Sequence, residues 1–234
     1  MREALKNLSP YKPGKTVEDI KREYNLSNVV KLASNENAYG FSPKVLEAIS
    51  GVTEIPLYPD NGVLKLRGKL AKKLNVGENN LIFGNGSSEL ISIAARTILT
   101  PGDETITCTP SFFTYASETM IANGEITQIP LKNNTFDLDG IISRITNKTK
   151  LIYIANPNNP TGTIITASEQ AEFLSKVPQN IYVVLDEAYC EFAKNSEFPN
   201  SIEMLKNNKN ILILRTFSKA YGLAGLRIRI WYWR

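Results

Sequence analysis

The 234-residue chain contains no histidine. That absence removes the usual side-chain general base, the commonest transition-metal ligand and the middle member of a Ser-His-Asp triad. Proton transfer therefore falls to lysine, tyrosine, aspartate, glutamate or a cofactor. Cysteine is nearly as scarce: Cys108 and Cys190 stand far apart with no CxxC spacing, which leaves a zinc site, an iron-sulfur site and a disulfide framework without ligands. Both are expected to be buried thiols, and no metal site is expected. Long apolar runs are missing too, the longest wholly aliphatic stretches, such as residues 211–214, being far too short to cross a bilayer. Residues 1–15 carry charges and two prolines but no apolar segment, so no secretory signal is expected and a cytoplasmic location is. Nor is either charge in large excess. The 27 Lys and Arg against 23 Asp and Glu give +4, scattered rather than clustered, which offers nucleic acid no footprint.

What is present is ordinary for a globular protein, with 42% hydrophobic and 21% charged residues. A chain of this length buries roughly 70% of its unfolded surface. There is no internal repeat and no low-complexity tract. Residues 1–35 read as an arm that Pro10 and Pro13 interrupt, with a short helix opened by Thr16 and Asp19 as a capping box. Ser42 and Pro43 start a second helix carrying Val45, Leu46 and Ile49 on one face. After a turn at Tyr58, Pro59 and Asp60, helix and strand alternate. Helices are expected at 64–74, 87–98 and 168–177, with another after Pro110, and strands at 81–83, 104–108, 126–130, 151–155, 181–185 and 211–214. Several strands are continuous apolar runs, which places them in the middle of a doubly wound, mostly parallel α/β sheet covered by helices. Ligands in such sheets bind beyond the carboxyl ends of the strands.

The residues just past each strand are therefore the informative ones. Gly84, Asn85, Gly86, Ser87, Ser88 and Glu89 lead into a helix whose free N–H groups suit a phosphate, although such a turn is more often just a tight connection. Ser111, Phe112, Phe113 and Tyr115 come after the next strand; an aromatic here could stack on a flat ring, with core packing the favoured reading for the two phenylalanines. Asn156, Pro157, Asn158, Asn159, Pro160, Thr161 and Gly162 make a stiff turn presenting side-chain amides. Asp186 ends a buried strand, where a carboxylate is costly unless it meets a cation. Thr216, Ser218 and Lys219 come after the last apolar strand, with Arg227 eight positions beyond the lysine. A lysine there could be a nucleophilic amine, and an arginine with hydroxyls could fix a phosphate. Each feature alone is unremarkable. Together they offer a phosphate anchor, an acid for a ring nitrogen, an aromatic to stack on the ring, a phenol and an amide for a phenolic oxygen, and an amine for an aldehyde, which is the set that pyridoxal phosphate requires.

On the turn from Asn158 to Gly162, the run from Asp186 to Tyr189, and above all Ser218, Lys219, Ala220, Tyr221, Gly222, Leu223, Ala224, Gly225, Leu226 and Arg227, the chain resembles the fold-type I pyridoxal-phosphate aminotransferases. The SNEN of residues 34–37 and the Tyr58, Pro59, Asp60 turn make it similar to their histidinol-phosphate aminotransferase branch. The resemblance implies that Lys219 condenses with the cofactor and moves the substrate proton, and that Asp186 pairs with the pyridine nitrogen. Tyr189 and Asn159 would hold the phenolic oxygen, and Tyr115 would stack on the ring. Gly86, Ser87, Ser88, Thr216, Ser218 and Arg227 would hold the phosphate, although the family commonly carries an acidic residue at the position of Ser88. Asn35, Asn37 and Tyr39 would line the substrate side. Tyr58 would reach the phosphate of a neighbouring subunit, so a homodimer is implied.

The resemblance also implies a domain division, with residues 1–35 as an arm and part of a small domain and 36–234 as the cofactor-binding large domain. The small domain is expected to be incomplete. Beyond Arg227 the last residues depart from the family pattern, as a frameshift or truncated product would. Three bulky aromatics and two arginines in six residues suit a covered strand poorly, though residues 228–233 could still pair as one. Exposed apolar surface, and with it self-association, is expected along the unmatched side. The activity implied is amino-group exchange between L-histidinol phosphate and 2-oxoglutarate. The alternatives are an inactive fragment that binds the cofactor or a partner chain, and an aromatic amino-acid aminotransferase or phospho-amino-acid decarboxylase of the same superfamily.

Overall fold

Strands β4 (Thr149–Ala155), β5 (Tyr182–Asp186) and β6 (Ile211–Thr216) lie together inside a seven-stranded sheet, as their apolar runs require. Successive strand residues point to opposite faces, yet Leu151, Ile152, Tyr153 and Ile154 are all buried, as are Val183, Val184 and Leu185. Both faces of the sheet are therefore covered. The structure, a computed structural model, describes Lys6 and residues 14–233. Pro10, Pro13 and Arg234 lie outside the described residues.

On one side of β4 stand β2 (Glu104–Thr109) and the edge strand β3 (Glu125–Pro130), all parallel. On the other, beyond β6, β7 (Ile228–Tyr232) pairs antiparallel with both β6 and the opposite edge strand β1 (Leu81–Asn85). The order is β1-β7-β6-β5-β4-β2-β3. One reversed strand has a consequence for the site. Six strands end along the same edge and β7 begins there, so Arg227, immediately ahead of β7, arrives where the residues just past the parallel strands converge.

The sequence-based expectation that the last residues suit a covered strand poorly is overturned. Ile230, Trp231 and Tyr232 are buried, and Tyr232 sits between Leu81 and Ile213 in the register. Adjacent strand residues face opposite layers, so the two aromatics do not compete for one space. Past the strand, Trp233 donates from its backbone N–H to Asn80 O (3.0 Å) and from Nε1 to Asn79 O (3.1 Å).

The N-terminal helices form for local reasons. In α1 (Val17–Tyr24) Thr16 and Asp19 complete the capping box, and α2 (Pro43–Ser50) has Pro43 in its first turn, although Ser42 makes no side-chain cap bond. Neither buries a residue, and the apolar face expected of α2 leaves Leu46 and Ile49 exposed. Asp60 accepts from the N–H groups of Gly62 (2.8 Å) and Leu64 (2.7 Å) and so opens α3 (Leu64–Leu74).

Core helices come next along the chain. α4 (Ser87–Ile98) buries Leu90, Ile91, Ala94 and Ala95 as one stripe and packs on β1, β4, β6 and β7, with α5 (Thr114–Ile121) beside it. α6 (Leu138–Ser143) packs on β2 and on α7 (Ala167–Lys176), while α8 (Ser201–Met204) is one short turn. Cys108 is buried as expected; Cys190 is only half-buried, because it lies in the turn after β5 rather than in a strand.

Candidate active site

Asp186 is the last residue of β5 and is 5% exposed. Its carboxylate accepts from the Ala188 N–H (3.1 Å) and the Tyr115 hydroxyl (2.9 Å). Tyr115 is fully buried, its ring stacked on Tyr153 at 4.7 Å and 8°. The Tyr115 phenol is thus committed to Asp186 and one ring face to Tyr153, while the residue also lines the crevice. Phe112 meets Tyr115 edge-on at 5.7 Å, and Phe112 and Phe113 both line the crevice rather than the core alone.

Three asparagines after β4 have three fates. Asn156 ties the turn to Ile165, donating to its O (3.0 Å) and accepting from its N (3.2 Å). Asn158 pins the turn to the end of β2, donating to Pro110 O (3.2 Å) and accepting from Ser111 Oγ (2.9 Å). Asn159, held between those anchors, lines the crevice.

At the phosphate-like corner, Gly86 precedes α4 with φ +88°. A Cβ there would stand 2.1 Å from Arg227 Nη2, so the absent side chain makes room for the guanidinium. Ser87 and Ser218 are buried, and neither hydroxyl oxygen has a hydrogen-bond partner among the described residues. Buried hydroxyls are rarely left so. The orphaned Ser87 hydroxyl, the start of a 12-residue helix and an arginine fit an anionic ligand group.

Lys219 Nζ stands 5.6 Å from the Tyr189 ring centre and donates to Ser34 O (2.8 Å). The loop carrying Ser34 is bolted in place by Asn35 Nδ2 donating to the Tyr189 hydroxyl (3.1 Å) and Asn37 Nδ2 donating to Ala220 O (3.0 Å). Gly222, at φ +69°, lets the lysine loop approach closely, since a Cβ would lie 2.1 Å from Gly40 O.

A crevice of about 660 Å³ thus gathers Asn35, Ser87, Ser88, Tyr115, Asn159, Asp186, Tyr189, Lys219 and Arg227. Other expected site residues do not line it. Thr216 is buried and its Oγ1 accepts from the Ser218 N–H (2.9 Å). Asn37 is spent on Ala220 and on the Tyr39 N–H (3.0 Å), while the Tyr39 and Tyr58 side chains are fully exposed. In this loop Ser34 and Asn35 line the crevice, Asn37 is tied to the main chain of the lysine loop, and Tyr39 faces solvent. Missed by sequence reasoning was Ser34, which acts through a main-chain oxygen and carries no residue-type signal, while Ser111, noted past its strand but given no role, holds Asn158.

The model of the family described as aminotransferase class I and II matches residues 27–232. The chain belongs to that family. Among the relatives in it, histidinol-phosphate aminotransferase 2 of Carboxydothermus hydrogenoformans is 49% identical over 97% of this chain and 64% of its own length. The histidinol-phosphate aminotransferase of a Geobacillus species is 45% identical over 96% and 62%. The solved histidinol-phosphate aminotransferase of Sinorhizobium meliloti, in complex with pyridoxal-5'-phosphate, superposes with a TM-score of 0.89 at 29% identity, over 99% of this chain and 62% of that one. The chain spans somewhat under two thirds of the length of these family members.

Proposed function

We propose that this chain binds pyridoxal phosphate in the crevice and belongs to an aminotransferase that exchanges an amino group between L-histidinol phosphate and 2-oxoglutarate. The observation that carries the reading is the convergence of Lys219, Asp186, Tyr189, Asn159 and the Gly86–Arg227 corner at one sheet edge. Bound there, the cofactor supplies a carbonyl carbon that condenses with an amine and an electron-poor ring that stabilises neighbouring negative charge.

The protein's own groups do the rest. Arg227, Ser87, Ser88, Ser218 and the start of α4 hold the phosphate, the orphaned Ser87 hydroxyl gaining its missing partner. Asp186 keeps a proton on the ring nitrogen, because a carboxylate so little exposed favours a facing cation. Tyr189 and Asn159 donate to the phenolic oxygen. Lys219 takes the proton from the substrate α-carbon, the role histidine would otherwise compete for. A second cavity of about 410 Å³ shares Asn35, Asn159 and Tyr189 with the crevice and extends to Phe192, which gives the amino substrate a place beside the cofactor. The division into an arm and a large domain, and a homodimer with Tyr58 facing a second copy, belong to the same reading.

Adding pyridoxal phosphate to the purified chain is expected to produce a visible absorption band that Lys219→Ala lacks. No band in the parent would end the proposal. A band together with glutamate formed from histidinol phosphate and 2-oxoglutarate supports the full activity. Binding without turnover would reduce the reading to cofactor binding, and turnover of phenylalanine instead would move it to the aromatic branch.

A further inference from the structure

Glu187 is the residue after Asp186, yet its side chain is 1% exposed and it does not line the crevice. Its Oε2 accepts from Nε of Arg215 (2.9 Å), the fifth residue of β6, and Nη2 of the same guanidinium stands 2.7 Å from that oxygen. The Arg215 guanidinium also stands 6.0 Å from the Tyr232 ring centre, so β7 contributes to the same cluster. Burial pushes the Glu187 carboxyl up, against the opposing pull of Arg215. Desolvation alone would lower Arg215, but the Glu187 charge raises it further, so the arginine keeps its proton. A buried pair of this kind is poor value for stability, since apolar residues of similar volume often do as well. Its position suggests another use.

The β5–β6 register ends at Asp186 opposite Leu214, and the last cross-strand bond there is the Glu187 N–H to Leu214 O at 2.9 Å. Beyond that point the two chains part. One carries Asp186, the Ala188 N–H that holds it, and Tyr189; the other carries Thr216, Ser218 and Lys219. The ion pair is the next cross-link past the fork, a charge-assisted hydrogen bond from Nε with Nη2 close to the same oxygen.

We propose that Glu187 and Arg215 are positioning residues, a clamp that sets the Asp186–Tyr189 turn against the Lys219 loop. The inference rests on the cofactor reading only for what the clamp serves. The clamp itself is tested without ligand. Arg215→Met alone strands a buried carboxylate and is expected to destabilise the fold, so the informative variants are the neutral pair Glu187→Met/Arg215→Met and the charge-retaining Arg215→Lys, which loses the fork.

Both are expected to unfold cooperatively near the parent's urea midpoint. Their backbone amides at positions 187, 188 and 218 should nevertheless exchange hydrogen about tenfold faster, a local loss comparable to one charge-assisted hydrogen bond. With pyridoxal phosphate added, affinity should fall by a similar factor, more in the neutral pair than in Arg215→Lys. Parent-like exchange at these amides in folded variants would overturn the clamp. If the parent forms no visible band while exchange rises as described, the cofactor reading fails and the clamp stands. Faster exchange with unchanged cofactor affinity would refute the positioning role and leave a local fastening only.

Discussion

Gly86 and Tyr115 show how single residues set this site. Alanine at position 86 would force a side chain onto a backbone at φ +88° and place its Cβ 2.1 Å from Arg227 Nη2. Strain in this extended positive-φ region, which glycine almost alone visits, costs about 1–3 kcal/mol, and the arginine must leave the proposed phosphate corner. Gly86→Ala is therefore expected to lower cofactor affinity by about tenfold or more, the loss of a charge-assisted hydrogen bond, read by titrating the visible band. At Tyr115, phenylalanine keeps the stack on Tyr153 and removes only the donor to Asp186. Leaving a buried carboxylate short of one partner costs about 1–3 kcal/mol. Urea unfolding of Tyr115→Phe should show that loss with little change in the slope of the transition. Tyr115 also marks a limit of sequence reasoning. The motif places an aromatic at the right strand end, but whether its face or its hydroxyl serves the site depends on Tyr153, which is 38 positions further along the chain and comes from β4.

Among the elements, those with local causes were legible in the sequence. α7 begins within one residue of its expected start because Thr166 and Glu169 form a capping box that the letters already display. The apolar runs of β4, β5 and β6 are equally plain, and Asn159, Asp186, Tyr189 and Lys219 of the crevice stand at their carboxyl ends, where the strand pattern itself points. The direction of β7 was not legible, since antiparallel placement between β1 and β6 is decided by tertiary pairing alone. Nor was the exposure of α2, whose apolar spacing is helical but meets no core. The α7 cap also carries a pH prediction. The Thr166 backbone N–H, and then its hydroxyl, hold the Glu169 carboxyl below the usual carboxylate range. A group with a depressed folded-state value stabilises above its ordinary value, and that stability is lost as pH falls through the folded value. Glu169→Gln should thus be less stable than the parent at neutral pH, by an amount that solvent screening keeps small, and the gap should close in acid. Urea midpoints of the two chains, compared across that window, measure it.

At the scale of the whole molecule, burial is divided unevenly along the chain. The sheet and its helices bury a continuous core, whereas residues 24–64 leave Val30, Leu32, Ile55, Leu57 and Tyr58 at two thirds exposure or more, with Leu46 and Ile49 beside them in sequence on α2. Scattered apolar residues on a surface need no explanation, but this many in one short stretch of chain invites a partner. Electrostatic repulsion does little to oppose association, because a net charge of +4 on 234 residues is small. The purified chain is therefore expected to self-associate as its concentration rises, most strongly at high salt, where the remaining repulsion is screened. Sedimentation velocity over a wide concentration range would show the sedimentation coefficient climbing, and Leu57→Ser/Tyr58→Ser should move the onset to higher concentration. If the parent stays monomeric throughout, these side chains cover no interface, and the dimer that the family resemblance implies loses its physical support in this chain.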